Sequence, residues 1–84
     1  MNVTNLFLPI LKEKLGDGVK LYHALDERSY GGELISMTLD ETAYKNLMKY
    51  DKTLKELDFT SANIAEFKPM YLNDFVNYIN KIFK

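Results

Sequence analysis

The chain has 84 residues, of which 46% are apolar and none is cysteine, and its formal net charge is −1. These values predict one folded domain spanning 1–84 and exclude a disulfide framework or a cysteine-based metal site. A net charge this close to zero provides no long-range field to attract nucleic acid.

The longest apolar run covers residues 6–11, well short of the ~20 residues that a membrane-spanning helix needs. The five residues before it include no Lys or Arg, so the run lacks the basic region of a secretory signal. We therefore expect a cytoplasmic protein with no membrane contact.

The first predicted element is a helix that ends at Gly16, a residue suited to a left-handed C-terminal cap. Thr4 or Asn5 would cap its start, which places Pro9 in or beside the first turn, where the missing N–H costs little. The apolar positions recur at helical spacing: Leu6, Phe7, Ile10, Leu11 and Leu15.

Two alternating runs, VKLYHAL at 19–25 and ELISMTL at 33–39, predict an antiparallel hairpin, because a short loop with glycines joins them. On the first strand, one face carries Val19, Leu21, His23 and Leu25. On the second, the apolar face carries Ile35, Met37 and Leu39.

A central helix is predicted next, since Thr38 and Glu41 have the spacing of a capping box. Apolar positions continue at helical steps as far as Leu57, and we expect the helix to extend about that far. An alternative is a third strand near 53–59, where alternation is weak. The apolar positions in question are Ala43, Leu47, Tyr50, Leu54 and Leu57.

The stretch LDFTSANIAEF at 57–67 looks like a pair of pentapeptide repeats, but one pair is too short for a stacked β-helix. Thr60 and Ser61 favour instead a short capped helix over 61–67. Pro69 then suits the first position of a last helix.

The last helix has two neighbouring apolar stripes. One consists of Tyr71, Phe75, Tyr78 and Ile82, and the other of Leu72, Val76, Ile79 and Phe83. One stripe should meet the core. The second either covers the sheet or forms an interface, such as a homodimer contact through the C-terminal helix.

The predicted fold class is therefore α+β: an N-terminal helix, a β-hairpin, a central helix, and a C-terminal helix packed on the sheet. The residues expected in the core are Leu11, Leu15, Leu21, Leu25, Ile35, Met37, Leu47, Leu72, Val76 and Ile79.

The sequence contains few residues suited to catalysis or to metal binding. His23 is the only histidine, and its position on an apolar strand face favours a half-buried, satisfied side chain. No phosphate-binding glycine loop and no calcium-loop motif is present. We expect no enzyme activity, no cofactor and no metal.

Nucleic-acid binding is the competing class, because four lysines fall on one side of the predicted central helix: Lys45, Lys49, Lys52 and Lys55. Asp51 and Glu56 interrupt them, and no basic recognition helix is evident. We therefore expect a solvated helix face rather than a phosphate-binding surface.

A protein-binding role remains, and we predict a contact surface made of Arg28, Tyr30, Tyr71 and Tyr78. Arg and Tyr are enriched at binding hot spots, and eleven aromatic residues, six Tyr and five Phe, exceed what a small core readily encloses. Such a chain is in character like the small proteins with which phages and mobile elements inhibit or redirect host proteins. A structural or self-assembling subunit is the remaining alternative.

Overall fold

A computed structural model describes residues 3–26, 32–60 and 63–83. Three helices and an antiparallel sheet in these residues confirm the predicted α+β class. The elements in chain order are α1 (Val3–Leu15), β1 (Val19–Asp26), β2 (Gly32–Asp40), α2 (Glu41–Tyr50), β3 (Ile64–Glu66), β4 (Met70–Tyr71) and α3 (Leu72–Ile82).

Strand β2 is the centre of the sheet. It pairs with β1 as the predicted hairpin on one side, and with both β3 and β4 on the other. Leu39 pairs with Ala65 and Ile35 with Met70, so the β3–β4 side uses one residue more than β2 over the same length. The extra residue is a β-bulge beside Pro69, whose missing N–H is tolerated there. β3 and β4 therefore form one interrupted edge strand.

The core lies between one face of the sheet and all three helices. Six predicted core residues are buried: Leu11, Leu15, Ile35, Met37, Leu47 and Ile79. Leu21, Leu72 and Val76 are only partly buried, and the side chain of Leu25 lies outside the described residues. The other buried apolar residues were not among those predicted for the core: Val19, Leu39, Ala43, Tyr44, Ala65 and Phe75.

Helix α1 ends as predicted. Gly16 has a φ of 110°, and its N–H donates to the carbonyl of Lys12 at 2.9 Å. The expected start is wrong, because the helix already includes Val3 and places Pro9 in its interior. Pro9 is exposed, so water can reach the carbonyl of Asn5 that the proline leaves without a helical donor.

Helix α2 was predicted with Thr38 as its cap, but it begins two residues later than that cap implies, at Glu41, with Asp40 as the cap. Oδ1 of Asp40 accepts a 2.8 Å hydrogen bond from the Ala43 N–H, whereas Thr38 lies within β2. The predicted extension to Leu57 is wrong, since the helix ends at Tyr50. The helix ends here because the Asp51 carboxylate accepts a hydrogen bond from the backbone N–H of Thr53, which would otherwise donate to a helix carbonyl.

The predicted elements between the last two helices are also wrong. Residues 54–59 form neither helix nor strand, and Ile64–Glu66 is a strand rather than part of a short helix. In that strand only Ala65 is buried, which is the alternation of a strand that packs on a core. Pro69 precedes the β4 strand, and α3 starts later, at Leu72.

Candidate protein-binding surface

The face of the sheet turned away from the helices forms the candidate surface, called here the open face. Strand alternation defines it, since Val19, Ile35 and Leu39 point into the core and their neighbours point the other way. Its members are Lys20, Tyr22, Ala24, Leu34, Ser36, Thr38, Ile64, Glu66 and Tyr71.

Large apolar side chains are exposed on this face. Tyr22 is 53% exposed, Ile64 47% and Tyr71 42%. Leu34 pairs with Ala24 on one side and with Tyr71 on the other, so these three residues form a row across the strands. Clustered exposed apolar groups of this kind often mark interaction sites.

A shallow groove of about 400 Å³ lies on the open face. Ser36 and Thr38 contribute small polar side chains to its lining, and Tyr22 and Ile64 contribute large apolar ones. The groove can therefore accept an apolar side chain while offering hydroxyl groups for hydrogen bonds.

Of the predicted contact residues, Tyr71 lies on the open face. Arg28 and Tyr30 fall outside the described residues. In the sequence they lie between Asp26 and Gly32, which form the last residue pair of the β1–β2 ladder.

Tyr78 lies in the helical layer instead. Its hydroxyl donates a 2.6 Å hydrogen bond to Oδ2 of Asp51, and its ring packs against the core. Burial raises the pKa of the Tyr78 hydroxyl, and the hydrogen bond and negative charge of Asp51 raise it further. The structure thus places Tyr71 and Tyr78 on different surfaces.

Asp51 is the one buried charged residue in the described part of the chain, at 8% exposure. Its Oδ1 accepts from the amide and the hydroxyl of Thr53, at 3.0 and 2.6 Å. Burial alone would raise the pKa of this carboxyl, but hydrogen bonds from Thr53 and Tyr78, together with the charge of Lys81, lower it overall.

The carboxylate of Asp51 lies at a cleft of about 410 Å³. Because both of its oxygens already accept hydrogen bonds within the chain, it holds the end of α2 to α3. Asp51 was not among the residues predicted to have a role. The only local signal was the Asp-x-Thr spacing, which is typical of an Asx turn. The cleft is lined by Tyr50, Asp51, Lys52, Thr53, Tyr78, Lys81 and Ile82.

The predicted lysine stripe does not form on one helix. Because α2 ends at Tyr50, Lys52 and Lys55 lie beyond it, in irregular chain. Lys45 remains on the helix, where its Nζ lies 2.9 Å from a carboxylate oxygen of Glu41. The expected arrangement of four lysines on one helix side is therefore wrong.

The exposed residues of α3 are all polar within the described chain: Asn73, Asp74, Asn77, Asn80 and Lys81. Phe75 and Ile79 are buried, although they come from different predicted stripes. Leu72, Tyr78, Ile82 and Phe83 pack partly buried against the same core. Most of the apolar surface of α3 is therefore used inside the fold.

His23 is partly exposed, and its Nε2 lies 3.5 Å from Oε1 of Glu33. The described residues contain no group of three or more His, Asp or Glu side chains placed to hold a metal ion. None of the described helices has the length and apolar character to cross a membrane.

Comparison with protein-family models, curated proteins and solved structures finds no match to this chain. The function must therefore be argued from the surface itself.

Proposed function

We propose that this chain is a non-enzymatic, cytoplasmic protein-binding module that contacts its partner through the open face. One observation carries the proposal. The helices cover one face of the sheet, whereas the other face exposes Tyr22, Ile64 and Tyr71. Partner binding would remove these side chains from water, which is the main favourable contribution in most protein association.

The chemistry of the open face indicates the kind of contact. Tyrosine offers a large apolar area at a low entropic cost, together with a polar hydroxyl group. Lys20 and Glu66 both pair with Thr38, from opposite sides of β2, so opposite charges flank the groove. We expect the partner to insert an apolar side chain into the groove and to pair with these charges at its rim.

The test is affinity capture from cells of the source organism, or from its host if the gene is viral. Three tagged forms are compared: the natural sequence, the pair Tyr22→Ser with Ile64→Ser, and the control pair Leu6→Ser with Leu57→Ser. Leu6 and Leu57 are 54% and 45% exposed and lie off the open face, so the control removes a similar exposed apolar area.

Support requires a protein that is enriched by the natural chain and the control, but not by the open-face variant. The purified partner should then bind the open-face variant at least ~10-fold more weakly. Equal capture by all three forms would refute the open face as the site.

Single-stranded nucleic acid is the second candidate, because exposed aromatic rings on a sheet can stack bases. Oligo(dT) binding that weakens steeply with salt, and is lost in the open-face variant, would replace the protein partner in this proposal.

A further inference from the structure

Strand β1 has an outer edge that no described residue pairs with. The Asp40 N–H donates to the Gly18 carbonyl at 3.0 Å, which makes residues 18 and 40 a hydrogen-bonded pair of the antiparallel ladder. Such pairs alternate along a ladder, so the backbone groups of every second residue point away from β2. The outward residues are Val19, Leu21, His23 and Leu25.

Exposure confirms that the distal half of this edge is accessible. Tyr22, His23 and Ala24 are all exposed, although consecutive residues of a strand point to opposite faces. Residues 22–24 are therefore open on both faces as well as along the edge. Edges of this kind can pair with another chain.

The opposite edge of the sheet differs. β3 has three residues and β4 has two, and the bulge beside Pro69 separates them. Bulges and proline are common means of blocking edge pairing. In the described chain, only β1, with eight residues, presents a long regular edge.

We propose that β1 pairs antiparallel with β1 of a second copy, with the two-fold axis at Tyr22. In this register Leu21 pairs with His23 of the second copy, so Leu21 and His23 of both copies join hydrogen-bonded pairs. Val19 is only 1% exposed, so its backbone takes no part in the pairing. The pairing stops at two copies, because the blocked β3–β4 edge offers no regular strand for a third.

The side chains are compatible with this register. Tyr22 faces its own copy in a non-hydrogen-bonded pair, where cross-strand side chains come closest and aromatic pairs are favourable. Lys20 faces the uncharged Ala24 and lies diagonal to register position 26, where the chain has an aspartate. No like charges are opposed, and the net charge of −1 gives little repulsion between copies. The dimer would join two open faces into one surface.

The test is sedimentation equilibrium of the natural chain and of two variants, Tyr22→Lys and Tyr22→Glu. The natural chain should dimerise. Each variant alone should dimerise at least ~10-fold more weakly, because like charges meet at the axis. An equimolar mixture should recover the dimer as a heterodimer. Position 22 is exposed, so neither variant should unfold the monomer, and circular dichroism checks this.

A third variant tests the backbone contact. His23→Pro removes an outward N–H without removing a hydrogen bond to β2, and it should also give a monomer. Asn77→Glu places the same charge as Tyr22→Glu on the exposed side of α3. It is the matched control for that variant and should stay dimeric. A monomeric natural chain, a mixture that does not recover the dimer, or a dimer lost only with Asn77→Glu would overturn the proposal. None of these outcomes depends on an external partner.

Discussion

The hydroxyl of Tyr78 in α3 donates a 2.6 Å hydrogen bond to Oδ2 of Asp51, the residue that follows the last turn of α2. The other carboxylate oxygen accepts two hydrogen bonds from Thr53. One buried carboxylate therefore fixes the end of a helix, the turn after it and a second helix 27 residues away. This contact assigns Tyr78 to the fold rather than to the open face.

Tyr78→Phe should lower the free energy of unfolding by about 1.5–3 kcal/mol, because it removes a hydrogen bond to a charged, buried group. Urea denaturation at pH 7 measures this change. Tyr22→Phe is the matched control, since it removes an exposed hydroxyl, and it should change stability by less than about 0.5 kcal/mol. Equal effects would contradict a structural role for the Tyr78–Asp51 contact.

The free energy of unfolding should decrease at low pH because Asp51 becomes protonated. Burial acts to raise the pKa of this carboxyl, but the hydrogen bonds from Thr53 and Tyr78 lower it below its unfolded value. A group with a lowered folded pKa stabilises fully above its unfolded pKa, near 4, and loses this contribution as pH falls through the folded pKa. The free energy of unfolding should therefore decrease below about pH 4.

Urea titrations between pH 7 and 2 measure this dependence. Asp51→Asn should be less stable than the natural chain at pH 7, and its stability should decline less in acid. Asp17→Asn, which changes an exposed carboxylate, should keep the full decline. If both variants kept it, Asp51 would not be its source.

Gly18 makes room for the N-cap of α2. A Cβ at this position would lie 2.0 Å from the carboxyl carbon of Asp40, which caps the Ala43 N–H. Gly18→Ala should therefore cost about as much as losing the cap, ~0.5–2 kcal/mol. In a chain that already carries Asp40→Ala, adding Gly18→Ala should lower the free energy of unfolding by clearly less than it does in the natural chain, because the cap is already absent.

Gly16→Ala provides the contrast in a double-mutant cycle. A Cβ there meets nothing within 4 Å, but the φ of +110° disfavours any side chain. Its cost, on the order of 1 kcal/mol, should be the same with or without Asp40→Ala. Additive behaviour at Gly18 would mean that the alanine is accommodated without moving Asp40.

Ile79→Ala should destabilise the fold by about 2–5 kcal/mol, because the Ile79 side chain of α3 is buried in the core. Leu21→Ala should cost less, since Leu21 is only partly buried near the free edge of β1. Ile64→Ala, on the open face, serves as the exposed control. Thermal and urea denaturation should give this order, and a larger loss at Leu21 than at Ile79 would reverse the assignment of the core.

The sequence predicted those elements whose signals are local. Gly16 marks the end of α1 through its own conformational freedom, and strict alternation fixes both strands of the hairpin. The central helix was also predicted in about the right place, although it starts two residues later than a Thr38 cap implies, because Asp40 provides the cap. In each case the deciding residues lie within a few positions of the feature.

The failures depended on distant contacts. The apolar spacing continued past Tyr50, but Asp51 turns the chain by bonding Thr53 and Tyr78, and no local pattern predicts the second bond. Ala65 enters a strand through pairing with β2, because three residues cannot specify a strand alone. For the site, aromatic content predicted exposed tyrosines correctly in Tyr71, but could not distinguish it from Tyr78, whose partner is remote.

The neighbours of β2 on its two sides in the sheet lie at very different distances from it along the chain, and this difference affects the order of folding. The pairing of β2 with β1 brings together residues as close in sequence as Asp26 and Gly32, six positions apart, whereas its pairing with β3 joins Asp40 to Ile64, 24 positions apart. Loop-closure entropy makes the second pairing the slower one to nucleate. The transition state should therefore contain the hairpin and lack β3, so that Ala65→Gly mainly accelerates unfolding while changes in the hairpin slow refolding.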